Sequence, residues 1–295
     1  MMAPRFLLPR VNPPSDGEPM TYRGWKKLWQ TLLPSSWSAD LLDRIESTDW
    51  DVLIILDACR YDVLADIAEG AAIERAVSPA TATPQFLEAA LERGVFDETT
   101  YVSANPQTDG RRPGNDITHV QLYDDGWDEA LSTVPPSEVY RAVREQLGAG
   151  SRVVAHTLQP HYPHICTVGD GPGPVPGGLH PAIHDIDERH LQSVLANGAV
   201  GLGLARRSYR ASVRFAWDRA FEFAGDLVAD GYTVAITADH GEVFGDWGFV
   251  EHPVDIPIAA LTNVPWVVVA PHQGTTNTGP ARSVEDRLAD LGYRQ

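Results

Sequence analysis

Two unbroken apolar runs, each ending in an acidic residue, constrain this chain more than any other feature. Residues 51–57 read Asp-Val-Leu-Ile-Ile-Leu-Asp, and residues 232–238 read Tyr-Thr-Val-Ala-Ile-Thr-Ala, followed by Asp239-His240. A run without polar alternation is the pattern of a strand covered on both faces, as in a parallel sheet. The polar residues that follow such strands stand at their carboxyl ends, where open α/β sheets place their sites. A carboxylate such as Asp57 is expensive to bury there without a partner. A helix N-cap is one partner it can serve, and a metal is another.

The rest of the chain alternates in the same way. Further strands are expected over Ile73–Val77, Thr99–Ser103, Ser151–Thr157 and Trp266–Ala270. Helices are expected over residues 38–47 with Ser38 as the cap, Tyr61–Glu69, Pro84–Arg93 with Thr83 at the N-cap, Ser137–Leu147 and Ser283–Leu291. A long helix over Leu204–Val228 presents Tyr209, Val213, Ala216, Trp217, Ala220, Ala224 and Leu227 on one face and stops at Gly231. The class is therefore α/β, a mostly parallel central sheet with helices on both faces. Residues 1–36 are Pro-rich and read as an irregular N-terminal arm, and 37–295 as one domain. Within the arm, Trp25, Lys26, Lys27, Trp29, Leu32 and Leu33 make a short amphipathic stretch that either packs on the domain or lies on a membrane surface. Residues 104–116 form a loop, and the Gly/Pro segment 167–180 is a mobile flap or a plain insertion.

Composition narrows the function. The 295 residues hold 40 acidic against 23 basic side chains, a net charge of −17, and Lys26 and Lys27 are the only lysines. An acidic, lysine-poor surface fits a halophile's salt-rich cytosol, where salt screens the repulsion. It excludes bulk nucleic-acid binding, which needs a basic face. The two cysteines, Cys59 and Cys166, form neither a zinc-ribbon spacing nor a disulfide framework. No secretory signal or span-length apolar run is visible, so the expectation is a soluble, cytoplasmic protein.

Three segments add chemistry to the Asp239-His240 corner. Asp57 ends the first apolar run. Ser78-Pro-Ala-Thr-Ala-Thr-Pro84 leads into a helix, placing the Thr83 hydroxyl where backbone N–H groups favour an anion, with Thr81 and Ser78 as rivals. His156-Thr-Leu-Gln-Pro-His161-Tyr-Pro-His164 puts three histidines at a strand end, to join His252 at a second metal or to donate to a substrate's oxyanions. Adjacent carboxylate and imidazole groups suit a divalent ion of the Zn2+ or Mn2+ type, one or two in number. Arg111 and Arg112 are candidate anion contacts or ordinary solvated arginines.

In their order, these segments resemble the alkaline phosphatase superfamily, in particular the sulfatase-like branch with the phosphoethanolamine transferases and lipoteichoic-acid synthases. Asp57 with Arg60, then Thr83, then His156 to His161, then Asp239-His240-Gly-Glu with His252 thirteen residues after the Asp, match that branch over roughly residues 50–271. The resemblance implies an alkaline phosphatase-like sandwich. It also implies a metal held by Asp57, Thr83, Asp239 and His240, with His161 and His252 at a second metal or at the substrate, Arg60 in support and Thr83 as nucleophile. The implied reaction is hydrolysis or transfer of a phosphate or sulfate ester of a small molecule or glycan. Two departures stand out. Ala58 replaces the second acidic residue that sulfatases usually carry, and residues 78–83 lack the formylglycine motif. The rival class is a degenerate member that binds a partner without chemistry. Oligomeric state is left open.

Overall fold

The computed structural model describes residues 20–33, 37–68, 72–109, 117–148, 151–179, 191–196 and 198–271. Its centre is a seven-stranded sheet made of β1 (Val52–Leu56), β2 (Glu74–Val77), β3 (Thr99–Ser103), β4 (Thr118–Gln121), β5 (Arg152–Thr157), β8 (Val234–Thr237) and β11 (Asn263–Val269), in the order β2-β11-β8-β1-β5-β3-β4. Outside it, β9 (Val243–Phe244) and β10 (Val250–Glu251) pair with each other. Within the seven-stranded sheet the pairings are parallel except those of β11, which runs antiparallel to both neighbours. The mostly parallel α/β sheet expected from the apolar runs is therefore present.

The apolar runs take the central places because only there are both faces covered. All five side chains of β1 are fully buried, as are those of β8. Truncating one of them, for example Ile54→Ala, is expected to cost ~2–5 kcal/mol. In register, Leu56 lies beside Thr157 and Ile55 beside Thr237. Three parallel strands thus end together, and the residues that follow them share one edge.

The helices are α1 (Met20–Leu32), α2 (Leu41–Ser47), α3 (Tyr61–Ile67), α4 (Thr83–Arg93), α5 (Pro136–Gln146), α6 (Leu191–Ala196), α7 (Leu202–Ala229) and α8 (Ala259–Thr262). Every residue expected on the apolar face of the long helix α7 is buried. Its C-terminus closes with Gly231 at φ 99° and Tyr232 N–H donating to the Leu227 carbonyl, 3.0 Å.

Several local expectations are corrected. The helix expected to be capped by Ser38 begins at Leu41 with Asp40 before it. Asp40 leaves the helix N–H groups alone and accepts instead from Val77 N–H (2.6 Å) and Arg44 (3.0 Å), tying α2 to the edge strand β2. Thr83 is the first residue of α4, not its cap; Ala82 takes that position. The Gly/Pro segment, expected as a mobile flap or a plain insertion, is partly built as a hairpin. β6 (Ile165–Val168) pairs antiparallel with β7 (Gly171–Pro174), and Ile165 is buried against Leu131 and Phe215. The arm holds a helix, α1, where irregular chain was expected. Trp29 and Leu33 pack on Val243, Phe249, Ile256, Ile258 and Leu261. The expected helix at 283–291, Arg111 and Arg112 lie outside the described residues.

Candidate active site

The residues beyond the carboxyl ends of β1, β3, β5 and β8 converge. Asp57 follows β1 and is buried. Ala58 then adopts φ 60°, the left-handed region that costs a non-glycine roughly 1–2 kcal/mol. The turn brings Ala58 N–H to Oδ1 of Asp239, 3.1 Å away, while the Ala58 carbonyl accepts from the Tyr209 hydroxyl of α7, 2.6 Å. The position where sulfatases usually carry a second acid therefore contributes backbone here. On the other side, Gly241 lies so close to α8 that a Cβ would fall on the Ala260 carbonyl oxygen, and its N–H donates to Leu261 O at 2.8 Å. That contact fixes His240 and Glu242, its chain neighbours.

The first constellation is Asp57, Asp239 and His240, whose donor atoms all lie within 4.8 Å of one another, all buried. Thr83 points into it. Its hydroxyl donates to Asp239 Oδ2 at 2.7 Å and lies 3.2 Å from His240 Nε2. His240 Nε2 is 3.4 Å from Asp239 Oδ2 and 3.6 Å from Asp57 Oδ1. With Nδ1 at 2.8 Å from the Gly241 carbonyl, the Nδ1–H tautomer is fixed and the Nε2 lone pair faces the acids. Thr81, a rival for the same position, turns away: its hydroxyl bonds to Gln85 and the Pro253 carbonyl and accepts from Asp255 N–H. Ser78, the other rival, donates to the Asp239 carbonyl.

The second constellation adjoins the first. His161, Glu242 and His252 place donor atoms within 4.8 Å of one another. His252 Nδ1 is 3.3 Å from Glu242 Oε2, and the His252 ring lies between His240 and His161, with centroids at 4.7 and 5.1 Å. His161 turns Nδ1 to the Tyr162 carbonyl at 2.6 Å, and its backbone N–H donates to the Asp57 carbonyl at 3.1 Å.

The electrostatics are those of a site short of positive charge. Burial, then repulsion from Asp239, pushes the Asp57 carboxyl well above its ordinary range. Asp239 is held low despite burial, by His240, His156, Thr83 and the Ala58 N–H. Burial lowers His240 to about 4, so its imidazole is neutral near pH 7. Burial also works against the charged form of His252, but Glu242 outweighs it and raises the group to about 9.

The fit to a divalent cation rests on one observation above the others. Asp57 Oδ1 is buried with no hydrogen-bond partner, beside a second carboxylate and a neutral imidazole nitrogen. Buried oxygens of this kind are satisfied as a rule. Carboxylate, hydroxyl and imidazole donors are those that Zn2+ and Mn2+ take.

The other expected residues sit elsewhere. Arg60 faces away from the acids, bridging Asp62 (2.7 Å), Asp246 (3.3 Å) and the Glu242 carbonyl (3.1 Å). His156 is buried behind Asp239, its Nδ1 at 2.8 Å from the Tyr101 hydroxyl and its Nε2 at 3.9 Å from Asp239. His164 is core, edge-on to Tyr209 and Phe244. Two site residues were not anticipated. Asn105, after β3, donates to Asp57 Oδ2 at 2.5 Å and accepts from Gln107 N–H. Glu242 is the other; its place in Asp-His-Gly-Glu was the only signal available for it.

The same chain path occurs in solved structures. The soluble domain of lipooligosaccharide phosphoethanolamine transferase A from Neisseria meningitidis superposes with a TM-score of 0.51 at 13% identity, over 75% of this chain and 76% of that one. The C-terminal periplasmic domain of phosphoethanolamine transferase EptC from Campylobacter jejuni gives 0.50 at 12%, over 75% and 79%. The fold is alkaline phosphatase-like. The whole integral membrane transferase from N. meningitidis gives 0.51 at 12%, with 86% of this chain covering 55% of that protein. No family model and no curated protein matches the sequence. The alkaline phosphatase-like fold is thus legible in three dimensions at identities where sequence comparison is silent. Among the described residues, no helix is long and apolar enough to cross a membrane.

Proposed function

We propose that this chain is a metal-dependent enzyme that transfers or hydrolyses phosphate esters, or sulfate esters, through Thr83. The supporting observation is the Thr83 hydroxyl, buried at the N-terminal end of α4 and aimed between Asp239 and His240. Asp57, Thr83, Asp239 and His240 are the residues to hold a first divalent ion, and His161, Glu242 and His252 a second or the substrate's free oxygens. When bound, Zn2+ or Mn2+ would lower the pKa of the Thr83 hydroxyl and offset charge on the transferring group.

The chain's own groups then have definite tasks. Thr83 Oγ1 gives up its proton, attacks phosphorus or sulfur in line and forms a covalent ester while the bond to the leaving oxygen breaks and that oxygen takes up a proton. His252, charged near pH 7, and His161 contact the non-bridging oxygens. Asn105 holds Asp57, and Arg60 holds the Glu242 segment, without touching the substrate. Water, or an acceptor alcohol, attacks the covalent ester and regenerates Thr83.

The test compares wild type with Thr83→Ala on aryl phosphate and aryl sulfate, alongside metal content. Loss of turnover with the fold kept and most metal retained supports the assignment. Turnover surviving in Thr83→Ala defeats it. Metal-free wild-type protein without turnover favours the binding-protein reading to which Ala58 lends weight.

A further inference from the structure

Residues 78–83 reach both constellations in turn. The Ser78 hydroxyl donates to the Asp239 carbonyl, and the Thr83 hydroxyl to the Asp239 carboxylate. Between them Thr81, fully buried, faces the other way, onto the segment that follows His252. Its hydroxyl accepts from Asp255 N–H at 3.1 Å. It stands 3.1 Å from the Pro253 carbonyl and 3.0 Å from Gln85 Oε1, either of which takes its one proton. Gln85, in the first turn of α4, completes the contact. Its Oε1 accepts from Thr81 N–H at 3.3 Å, and its Nε2 donates to Asp255 Oδ1 at 2.7 Å. Thr81 and Gln85 thus hold Pro253 and Asp255 by backbone and side chain alike.

The segment they hold is strained. Glu251 and Asp255, on either side of His252, have φ of 59° and 62°, in the left-handed region that residues other than glycine rarely adopt. Such conformations persist where the surroundings over-determine them. Asp255 is exposed, so its conformation is fixed by the bonds from Thr81 and Gln85 and not by burial. The His252 ring stands between those of His240 and His161, with Nδ1 3.3 Å from Glu242 Oε2, and that place depends on how the chain enters and leaves the residue.

We propose that Thr81, backed by Gln85, is a positioning residue for His252. Its hydroxyl ties the chain after His252 to the helix start that presents Thr83. One short segment thereby sets the nucleophile and the oxyanion-contacting imidazole against each other. Thr81 itself touches no substrate, and its effect passes through His252. The consequence for turnover rests on the catalytic proposal above, whereas the position of His252 does not.

The experiment compares wild type with Thr81→Val, which keeps the shape and loses the hydroxyl, and with Thr81→Ser, which keeps the hydroxyl. The first readout is the NMR signal of the His252 imidazole Cε1–H in full-length, chelator-treated protein carrying isotope-labelled histidine, at one pH. The signal is assigned by its absence in His252→Gln. Thr81→Val should move it, and Thr81→Ser should leave it close to wild type. The second readout is kcat/KM for an aryl phosphate or sulfate. Thr81→Val should lower it by about tenfold or more, with Thr81→Ser restoring most of the loss. Added to His252→Gln, Thr81→Val should change it by less than about twofold further, whereas a loss that only weakened the fold would add in full. Gln85→Ala, at a half-buried helix position, should move the His252 signal as well, and serves if Thr81→Val does not fold. A His252 signal that stays in place overturns the inference, whatever turnover does. So does a signal that moves without loss of kcat/KM, or a loss that adds in full to that of His252→Gln, which would put the effect on Thr83. Wild type without turnover defeats the catalytic proposal instead, and the signal then decides the positioning of His252 by itself.

Discussion

Thr83 donates its hydroxyl to Oδ2 of Asp239 across 2.7 Å, although 156 residues separate them. A threonine at the first turn of a helix ordinarily serves the helix's own N–H groups. Here the hydroxyl faces two acids and an imidazole, all buried together.

The two buried acids predict opposite effects of one substitution. In protein stripped of metal by a chelator, Asp57→Asn should melt at the same temperature as wild type or higher, because it removes a carboxyl that burial and Asp239 both oppose. Adding Zn2+ or Mn2+ at about 100 times its dissociation constant should stabilise wild type by about 2.7 kcal/mol, roughly 5–10 °C, and Asp57→Asn far less. Scanning calorimetry decides it. An equal shift in both proteins excludes Asp57 as a ligand.

Stability of the metal-free protein should peak near neutral pH. His240 is lowered by burial to about 4, so its contribution is present above its ordinary value of 6.5 and lost as pH falls towards 4. His252 is raised to about 9, Glu242 outweighing burial, so its contribution is present below 6.5 and lost as pH rises through 9. Asp57, raised by burial and then by Asp239, acts in the other sense from His240: its contribution is present below its ordinary value of 3.8 and is lost as pH rises above that, which offsets part of the acid limb. Thermal melts from pH 4 to 10 should show both limbs, and His252→Gln should flatten the alkaline one. An unchanged alkaline limb in that variant contradicts the Glu242–His252 pairing.

Gly241→Ala should cost several kcal/mol or prevent folding, although the residue touches no substrate. The added Cβ meets the Ala260 carbonyl, a backbone atom that cannot move without shifting α8. Urea unfolding measures the loss. A cost under about 1 kcal/mol would mean that the close approach is not native.

Arg60→Lys should lower kcat while leaving KM for an aryl phosphate nearly unchanged. Its forked guanidinium joins Asp62, Asp246 and the Glu242 carbonyl, which a lysine cannot span together. Steady-state kinetics separate this from a direct anion contact, for which KM would rise.

The legibility of the chain follows from what each signal encodes. β1 and β8 are readable because a strand covered on both faces is apolar almost throughout, and Asp57 and Asp239-His240 are readable because they interrupt that rule at strand ends. Asn105 was not, since its role is a single bond to Asp57 from a neighbouring strand end, and nothing in Ala104-Asn105-Pro106 records it. Gly171–Pro174 reads as loop because glycine and proline are poor strand formers, yet it pairs in a two-stranded hairpin, not in the main sheet. The starts of α2 and α4 depart from expectation because tertiary partners take the polar side chains there: Asp40 accepts from Val77 N–H, and Thr83 donates to Asp239.

The central claim is that Thr83 carries the transferred group. Acid quenching during turnover of an aryl phosphate or sulfate, followed by peptide mass spectrometry, tests it most directly. The account predicts a phosphoryl or sulfuryl group on Thr83. The same group found on any other residue would contradict it.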